Sequence, residues 1–439
     1  MAPENRHVLF GTQKINDRGH LEVGGVDTVE IAERFGTPVY VIDEEALRLR
    51  CREYMDAFRA EAPGTIVYYA AKAFLCRAVA ALAAEEGLHI DVASSGELRV
   101  VLSAGVRPET IVVHGNYKKD EDLAAALDAR VGIIAIDSVD EMRALSALAQ
   151  ARGVRQRALI RLAPGIDGHT LDAISTGRND TKFGITVESG AALAAIVECL
   201  TLPGIDLQGI HAHIGSQILT LEPYELLAEK VLDVAKAATS RTGWTPRLIV
   251  LGGGLGIRYR PTDRPPAVRD LARAMVGAIR KAATARGLSV PALGVEPGRS
   301  IAGEYGLTLY RVGPVKEVPS SEGGTRVYAT VDGGLSDNPR PLMYGATYPV
   351  LLADRAGELV SRPIRVAGRH CETDTLFDVD LPPPRPGNIL AVLCTGAYNH
   401  VMASNYNAFC RPPIVFVQKG DARLVVRRET EEDILRREV

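Results

Sequence analysis

The sequence predicts an α/β fold of two domains, a (β/α)8 barrel of the TIM type followed by a mostly β domain. The chain has 439 residues, which is more than one hydrophobic core serves, since single cores stop growing at about 250–300 residues. Short β-branched runs alternate with Ala- and Leu-rich helical stretches, in roughly eight or nine units. From about Gly303 the helical patterns give way to Val-, Tyr- and Thr-rich runs separated by Pro and Gly.

The predicted barrel elements follow one another closely along the chain. Apolar residues at helical spacing over 44–60, for example, predict a helix after the first strand. Parallel strands joined by helices need right-handed crossovers, and the number of units favours a closed barrel over an open sheet. The predicted strands are 39–42, 65–69, 89–92, 110–113, 132–136, 157–162, 207–213, 247–250 and 293–296, with helices in the intervals.

The second predicted domain is built mainly of strands, at 326–331, 364–368, 389–394 and 413–418. The Pro-rich segment 381–386 predicts a loop within it. The barrel is expected to span 37–302. Because residues 1–36 have no barrel partner of their own, they are expected to join 303–439 in the β domain.

Composition excludes several classes of protein. Charged residues make up 24% and the formal net charge is −3, which gives no electrostatic reason to expect nucleic-acid or membrane binding. No apolar run approaches the roughly 20 residues that cross a bilayer, and the first residues lack the hydrophobic core of a secretion signal. The six cysteines have no CxxC spacing, which favours reduced thiols in a cytoplasmic protein.

Lys72 is the first residue that could carry chemistry. It follows the strand predicted at 65–69, and barrels of this type carry their active sites at that end of the strands. A lysine amine that a partly apolar pocket keeps deprotonated can bond covalently to a carbonyl carbon. For one lysine alone, a surface residue that ends a strand is the more common case.

His211 and His213 alternate at the end of a later strand. Two such histidines could bind a metal, but no third histidine or carboxylate lies at ligand spacing nearby. One imidazole could instead stack on an aromatic cofactor while Ser216 donates to a phosphate. The structural alternative is a packed core histidine.

Two further motifs also come directly after predicted strands. The glycines at 252–254 leave backbone N–H groups free to surround a phosphate, although many such runs are only turns. Glu296 could face a ring nitrogen, and Gly298 with Arg299 could hold a phosphate. An ordinary salt bridge between strand and turn is the alternative for this last motif.

Together and in this order, the four motifs resemble the signatures of the fold-type III pyridoxal-phosphate (PLP) decarboxylases. Within that family the diaminopimelate decarboxylases are the nearest match. The resemblance extends along nearly the whole chain. Its further segments are 24–27, 36–41, 91–98, 114–116, 175–177, 182–184, 340–345, 371–372, 396–398 and 404–407.

The resemblance implies a role for each matched residue of the cofactor pocket. Lys72 would carry PLP, His213 would stack on its ring and Glu296 would pair with the ring nitrogen. A carboxylate there keeps the nitrogen protonated, which makes the ring a strong electron sink and favours decarboxylation over racemisation. The other cofactor contacts that the resemblance implies are Asp91, Arg161, Ser216, Gly254, Gly298, Arg299 and Tyr398.

The resemblance also implies which residues bind the substrate. Arg299 and Arg340 would clamp a distal carboxylate, to which a guanidinium is matched in shape. Glu372 would pair with the distal ammonium, and Cys371 would return a proton where CO₂ leaves. Cys371 and Glu372 would come from a neighbouring subunit, so a homodimer is expected. Tyr344 and Tyr398 would complete the substrate pocket.

One loop departs from the family pattern. Diaminopimelate decarboxylases usually continue Cys-Glu-Ser-x-Asp, whereas Thr373, Asp374 and Thr375 follow Glu372 here, and 407–411 lacks the usual Ser-Arg-Pro run. The leading expectation is decarboxylation of meso-2,6-diaminopimelate to L-lysine and CO₂. The alternatives are a decarboxylase for ornithine, lysine or a carrier-bound glutamyl group, and a PLP-binding protein without activity. The long β domain argues against the last of these.

Overall fold

The fold was analysed in a computed structural model, which describes residues 8–166, 180–320, 323–358 and 362–439. The expected family match at 175–177 lies outside these residues. The chain divides into two compact units. One comprises Arg50–Ile257 and Arg264–Ser300, and the other comprises Met1–Leu49, Arg258–Asp263 and Ile301–Val439.

Strands and helices are numbered in chain order. The strands are β1 (Lys14–Ile15), β2 (Leu21–Val23), β3 (Val26–Asp27), β4 (Val39–Asp43), β5 (Ile66–Ala70), β6 (His89–Val92), β7 (Ile111–Val113), β8 (Ile133–Ile136), β9 (Gln156–Ala163), β10 (Ile185–Thr186), β11 (Ile205–Ala212), β12 (Leu248–Val250), β13 (Ala292–Val295), β14 (Gly306–Pro319), β15 (Thr325–Val331), β16 (Val350–Leu352), β17 (Arg362–Ala367), β18 (Thr375–Leu381), β19 (Ile389–Val392), β20 (Ile414–Gln418) and β21 (Asp421–Val426). The helices are α1 (Thr28–Phe35), α2 (Glu44–Glu61), α3 (Arg77–Glu85), α4 (Ser95–Ser103), α5 (Asp120–Asp128), α6 (Val139–Ala151), α7 (Ala191–Cys199), α8 (Glu222–Thr242), α9 (Val268–Ala285), α10 (Arg299–Ala302), α11 (Arg340–Tyr344) and α12 (Glu431–Leu435).

The first unit is a closed parallel barrel, as the sequence predicts. Its strands follow the order β9-β11-β12-β13-β5-β6-β7-β8, and β8 pairs with β9 to close the ring. The short strand β10 adds to β9 outside this ring. The barrel interior is filled by side chains from several strands, which makes it a packed core rather than a pore. Members of this core include Tyr68, Val112, Ile133, Leu159, Leu248 and Val250.

Local sequence explains where the barrel helices begin. Ser94 caps α4, since its hydroxyl accepts a hydrogen bond from the backbone N–H of Glu97. Ser138 caps α6 in the same way, through the N–H of Glu141. A short polar side chain at such a position satisfies a backbone donor that the helix leaves without a partner. Helices α4 and α6 therefore each begin three residues after the end of the preceding strand.

The second unit contains a mixed sheet with the strand order β18-β17-β15-β14-β4-β20-β21. Strand β19 pairs with both β14 and β16. Between residues 8 and 36, strands β1, β2 and β3 form a small sheet that is followed by helix α1, and these elements belong to this unit. None of the helices in the described ranges combines the length and apolar character that a bilayer span requires.

The placement of the first predicted barrel strand was wrong. Strand β4 pairs antiparallel with β14, with Val41 opposite Leu307, and parallel with β20, with Val41 opposite Val415. The barrel instead begins with β5. All five residues of β4 are buried, and a fully buried strand reads as the same apolar run in a barrel and in a central sheet position. Its partners lie hundreds of residues away, beyond the reach of local pattern.

Candidate active site at the carboxyl ends of the barrel strands

Lys72 lies in a short turn directly after β5, at the carboxyl end of the barrel strands. Its Nζ donates a hydrogen bond to Oδ2 of Asp91, at 3.1 Å, and Asp91 lies on the neighbouring strand β6. The Lys72 side chain is 45% exposed, whereas Asp91 is buried. The predicted lysine and its predicted acidic neighbour are therefore brought together, and the Lys72 side chain remains partly exposed.

Glu296 follows β13 and is buried between two histidines. His211 Nε2 lies 3.0 Å from Glu296 Oε2 in a well-directed hydrogen bond. His114 Nε2 lies 2.9 Å from Oε1, although its direction does not meet that of a hydrogen bond. The rings of His114 and His211 are 4.7 Å apart between centroids. Both carboxylate oxygens thus have an imidazole at close range.

These contacts govern the ionisation of Glu296. Burial by itself would raise the pKa of this carboxyl, but the contacts from His211 and His114 outweigh it and hold the pKa well below its ordinary value. Burial lowers the pKa of His211, with partial compensation from Glu296. The site therefore holds an ionised carboxylate that faces a neutral imidazole at neutral pH.

The two histidines that the sequence considered as a metal pair serve different purposes. His211 turns to Glu296, whereas His213 Nδ1 accepts a hydrogen bond from the backbone N–H of Gly253, at 3.3 Å. The ligand atoms of His114, His211 and Glu296 do lie within 4.8 Å of one another. Within this buried cluster, the contact between His211 and Glu296 has the geometry of a hydrogen bond.

His213 is a partly buried ring that is neutral at neutral pH. Burial lowers its pKa well below the ordinary value, and the charges of Lys72 and Arg161 add to the effect. A neutral imidazole presents a flat face that can pack against another ring without the cost of burying a charge. Its fixed hydrogen bond to Gly253 sets the direction of that face.

The glycine loop after β12 packs where side chains would not fit. A Cβ on Gly253 would overlap the carbonyl oxygen of Glu296, and one on Gly252 would overlap the His213 ring. Gly254 has a φ of 104°, which residues with a Cβ rarely adopt. The loop thereby packs closely against His213 and Glu296, and the N–H of Gly253 donates to His213 Nδ1.

Three loops of the barrel converge beside these glycines. The backbone N–H of Ile218 donates to the carbonyl of Gly254, at 2.9 Å, and this bond joins the loop after β11 to the loop after β12. Arg299 Nε donates to Ser216 Oγ, at 3.1 Å. Gly298 lies against Ala70 and Ala73, since a Cβ there would stand 3.0 and 2.9 Å from their Cβ atoms. Ser216, Gly254, Gly298 and Arg299, which the sequence singled out separately, are thus joined through these loops.

Arg161 lies on β9 and is buried. Its Nη1 lies 3.5 Å from Asp137 Oδ1, and its guanidinium stands 4.4 Å above the Phe183 ring. Burial lowers the pKa of Arg161, although Asp137 opposes that shift. Arg161 therefore supplies a positive charge within the barrel, held by residues that the sequence did not predict as partners.

Four of the residues predicted to bind the substrate lie in the β domain, namely Arg340, Tyr344, Glu372 and Tyr398, whereas Arg299 belongs to the barrel unit. Arg340 begins α11, and its guanidinium stands 4.9 Å above the Tyr344 ring and 5.2 Å above the Tyr398 ring. Tyr398 has a φ of 63°, an uncommon conformation for a residue with a side chain. Arg340, Tyr344 and Tyr398 thus form one cluster, although 54 residues separate Tyr344 from Tyr398 along the chain.

Cys371 and Glu372 lie on an exposed loop, and each forms a hydrogen bond with a residue of the segment 404–407. The N–H of Cys371 donates to Asn407 Oδ1, at 3.1 Å, and the Tyr406 hydroxyl donates to Glu372 Oε1, at 2.7 Å. Both Cys371 and Glu372 are exposed in the single chain. The segment 404–407, which matched the family only as a motif, thus supplies partners to both residues.

Asp374 explains the departure of this loop from the family pattern. It is buried, pairs with His370 Nδ1 and accepts a hydrogen bond from the N–H of Leu335, at 3.0 Å. A Cβ on Gly334 or Gly368 would overlap its carboxylate. The buried Asp374 therefore stabilises the loop, whereas Cys371 and Glu372 are exposed to solvent.

The sequence did not predict the contacts that four residues make with Glu296, Cys371 or Glu372. His114 and His211 were noticed only as parts of motifs, and Tyr406 and Asn407 only as part of a family match. Their contacts join elements that are distant in sequence, because β7, β11 and β13 meet only when the barrel closes. Histidine after a strand was the available signal, but it did not indicate which carboxylate each ring would meet.

Comparison with known protein families agrees with the barrel geometry. Residues 47–303 match the family described as "Pyridoxal-dependent decarboxylase, pyridoxal binding domain". This match and the closed barrel define the chain as a PLP-dependent amino-acid decarboxylase, a class whose cofactor is pyridoxal 5'-phosphate.

Relatives along the full chain narrow the class. A diaminopimelate decarboxylase of Bacillus subtilis is 42% identical over 430 residues, covering 98% of this chain and 97% of the relative. One of Mycobacterium tuberculosis is 44% identical over 424 residues, covering 95% and 94%. The crystal structure of diaminopimelate decarboxylase from M. jannaschii in co-complex with L-lysine has a TM-score of 0.90 at 32% identity, covering 98% of each chain. The chain therefore belongs to the diaminopimelate decarboxylase family.

Proposed function

We propose that this protein removes CO₂ from meso-2,6-diaminopimelate and so forms L-lysine, in the last step of lysine biosynthesis. The observation that carries the proposal is the buried, ionised Glu296 at the same barrel end as the Lys72–Asp91 pair. The names of the relatives at 42% and 44% identity support this substrate. The six cysteines are all free thiols, which fits a cytoplasmic enzyme.

The described residues fit PLP at three points. Glu296 Oε1 is buried and has no well-directed donor among the described residues, so a protonated ring nitrogen would satisfy it. Ser216 and Arg299, which are hydrogen-bonded to each other, offer O–H and N–H donors to a phosphate. Lys72 offers an amine on a side chain that is 45% exposed. We propose that Lys72 holds the cofactor, with His213 on its ring and Ser216, Gly254, Gly298 and Arg299 around its phosphate.

When bound, PLP supplies an electron sink for the electron pair that remains when CO₂ leaves. The protein's part is to hold charges in place. Ionised Glu296 would keep the ring nitrogen protonated, and Asp91 would orient the Lys72 amine. Arg161 would add a positive charge to the cofactor pocket.

At the other end of the substrate, the β domain supplies the groups for recognition. A guanidinium binds a carboxylate through two parallel hydrogen bonds, and aromatic rings on either side hold Arg340 in place for this. We propose that Arg340, with Tyr344, Tyr398 and Arg299, binds the distal carboxylate and that Glu372 binds the distal ammonium. Cys371 would return the proton to the carbon that loses CO₂.

A substrate panel tests the reaction. We expect purified protein with PLP to release CO₂ from meso-2,6-diaminopimelate with a higher kcat/KM than from ornithine, lysine or a glutamyl group on a carrier protein. Mass spectrometry of the products should detect L-lysine. A higher kcat/KM for any of the other three would replace the proposed substrate, and no CO₂ release from any of them would refute a decarboxylase.

Glu372→Gln should impair recognition of the distal ammonium. The hydrogen bond that a charged group accepts contributes about 1.5–3 kcal/mol, so KM for meso-2,6-diaminopimelate should rise roughly tenfold or more. The change in kcat should be much smaller, because the reacting carbon lies at the other end of the substrate. Tyr406→Phe should raise KM less, since it removes only the hydrogen bond that orients Glu372.

The matched control for Glu372 is Glu358→Gln. Glu358 is also an exposed glutamate of the β domain, and it pairs with Arg355. Steady-state kinetics of Glu372→Gln, Tyr406→Phe and Glu358→Gln should distinguish binding of the distal ammonium from orientation of the Glu372 side chain. An unchanged KM in Glu372→Gln would remove Glu372 from the substrate site.

We also propose that two subunits share each active site, with Cys371 and Glu372 contributed by the neighbouring subunit. Lys72→Ala and Cys371→Ala should each be inactive as homodimers. A heterodimer of the two, isolated with two different tags, should recover about half of wild-type activity, because one of its two symmetric sites is then intact. Heterodimers without activity would show that both residues act within one chain.

A further inference from the structure

We infer that His114 and His211 are positioning residues that together fix the orientation of the Glu296 carboxylate toward the cofactor ring. This inference rests on the proposed role of Glu296 opposite the ring nitrogen. The two imidazoles approach different oxygens, Oε2 at 3.0 Å and Oε1 at 2.9 Å. A carboxylate that two rings hold in this way cannot rotate about its last bond without losing one contact.

His211 contributes a single directed donor. Its Nδ1 is buried and has no partner among the described residues. Because a second proton there would leave a buried N–H unsatisfied, the ring is held in the tautomer with hydrogen on Nε2. Burial also lowers the pKa of His211. The ring thus donates one hydrogen bond to Oε2 without carrying a charge of its own.

His114 is held by the loop that follows β7. Its backbone N–H donates to the carbonyl of Val92, at 2.7 Å. Lys118 stabilises the same loop. Its buried Nζ donates to the carbonyl of Gly115, at 2.7 Å, and lies 2.8 Å from Glu141 Oε1. The imidazole is therefore placed beside Oε1 by its backbone. Its poor hydrogen-bond direction leaves a lone pair of Oε1 open to the ring nitrogen.

The other charged and titratable groups around Glu296 do not replace these two contacts. Asp91, on β6, lies 4.0 Å from His114 Nε2 and adds a like charge to the cluster. Arg161, on β9, carries a positive charge whose own pKa burial lowers. Tyr68, on β5, has a pKa that burial raises and is neutral at working pH. Lys72 pairs with Asp91.

The direction of the pH effect follows from these contacts. A carboxyl whose pKa is depressed in the folded protein contributes its benefit above its ordinary pKa and loses it as the pH falls through the depressed value. Without His211, one of the two imidazole contacts that oppose the effect of burial is lost, so the pKa of Glu296 would rise. Properties that depend on ionised Glu296 should therefore fail at a higher pH in the variant.

The decisive experiment compares His211→Leu with His211→Gln. Leucine removes the donor, whereas the glutamine amide can donate to Oε2. In His211→Leu the pH below which apoprotein loses affinity for PLP, measured by fluorescence titration, should move up. The pH titration of the visible spectrum of the holoenzyme should move in the same direction. His211→Gln should restore both toward wild type, and His114→Leu should shift both less, because its contact is not a directed hydrogen bond.

His89→Leu is the matched control. His89 begins β6, at the opposite end of the barrel strands from Asp91, and packs edge-on against Tyr68 at 5.4 Å. It should leave both pH titrations unchanged. The inference is overturned if His211→Leu keeps the wild-type titrations or if His89→Leu shifts them equally. Should His211→Leu not fold, the His114→Leu and His211→Gln titrations decide. If the wild-type protein binds PLP but does not decarboxylate meso-2,6-diaminopimelate, the proposed function is refuted. The expected pH shifts of the histidine variants do not depend on that result.

Discussion

Lys72→Ala should lower kcat for meso-2,6-diaminopimelate by at least about 10³-fold, because a positioned lysine can both anchor the cofactor covalently and transfer protons. The structure gives a reason to expect so large an effect. The Nζ of Lys72 is hydrogen-bonded to Asp91, and the partly exposed Lys72 side chain lies at the carboxyl end of the barrel strands. No second described lysine of the barrel is hydrogen-bonded to Asp91. The visible absorbance of covalently held PLP should disappear with the activity.

Two measurements make the Lys72 result specific. Borohydride reduction of the wild-type holoenzyme, followed by peptide mass spectrometry, should locate the cofactor on the peptide that contains Lys72. Lys236→Ala, on the exposed side of α8, should keep wild-type activity and absorbance. If the cofactor were found on another lysine, or if Lys72→Ala kept its kcat, the proposed anchor would be wrong.

Glu296→Gln should lower kcat by about 10²–10³-fold, equivalent to about 2.7–4 kcal/mol, the range seen when one preorganised electrostatic contact is removed from an active site. Glutamine is nearly isosteric and can still accept the hydrogen bond from His211. It cannot keep a ring nitrogen protonated, because it carries no charge. KM should change little, since the substrate is bound by other residues. Steady-state kinetics and the visible spectrum of the bound cofactor would measure both consequences.

The control for Glu296 is another carboxylate of the barrel with little exposure. Glu86 follows α3 and forms two hydrogen bonds with Arg52, at 2.6 and 2.9 Å. Glu86→Gln should affect stability at most and leave kcat unchanged. A Glu296→Gln enzyme with wild-type kcat would mean that the ring nitrogen does not depend on this carboxylate, and the proposed use of the His114–Glu296–His211 cluster would then be wrong.

The loop after Glu372 departs from the family pattern, and the sequence alone could not indicate what its acidic residue contacts. In the structure Asp374 contacts His370 and accepts a hydrogen bond from the N–H of Leu335. Asp374 therefore stabilises the loop. Cys371 and Glu372 remain exposed above it.

The sequence by itself determined the barrel, the β domain and the identity of the residues at the strand ends. Periodicity is a local property, and in a parallel barrel every strand ends on the same face, so Lys72 and Glu296 had to lie on that face once the strands were recognised. The order of the motifs was enough to indicate the family. Local pattern failed for β4, whose buried apolar run does not reveal which sheet it joins.

Only the tertiary structure decided how the chemical groups are paired. Glu296 contacts His114 and His211, Glu372 contacts Tyr406, and Asp374 contacts His370. Whether such a contact is a hydrogen bond depends on its angle and on differences of a few tenths of an ångström in its distance. Ionisation depends on those same distances, because burial and nearby donors shift the pKa of a carboxyl in opposite directions. Residue types therefore indicated which groups could act. The closed barrel and the folded β domain decided which partners hold them and in which charge state.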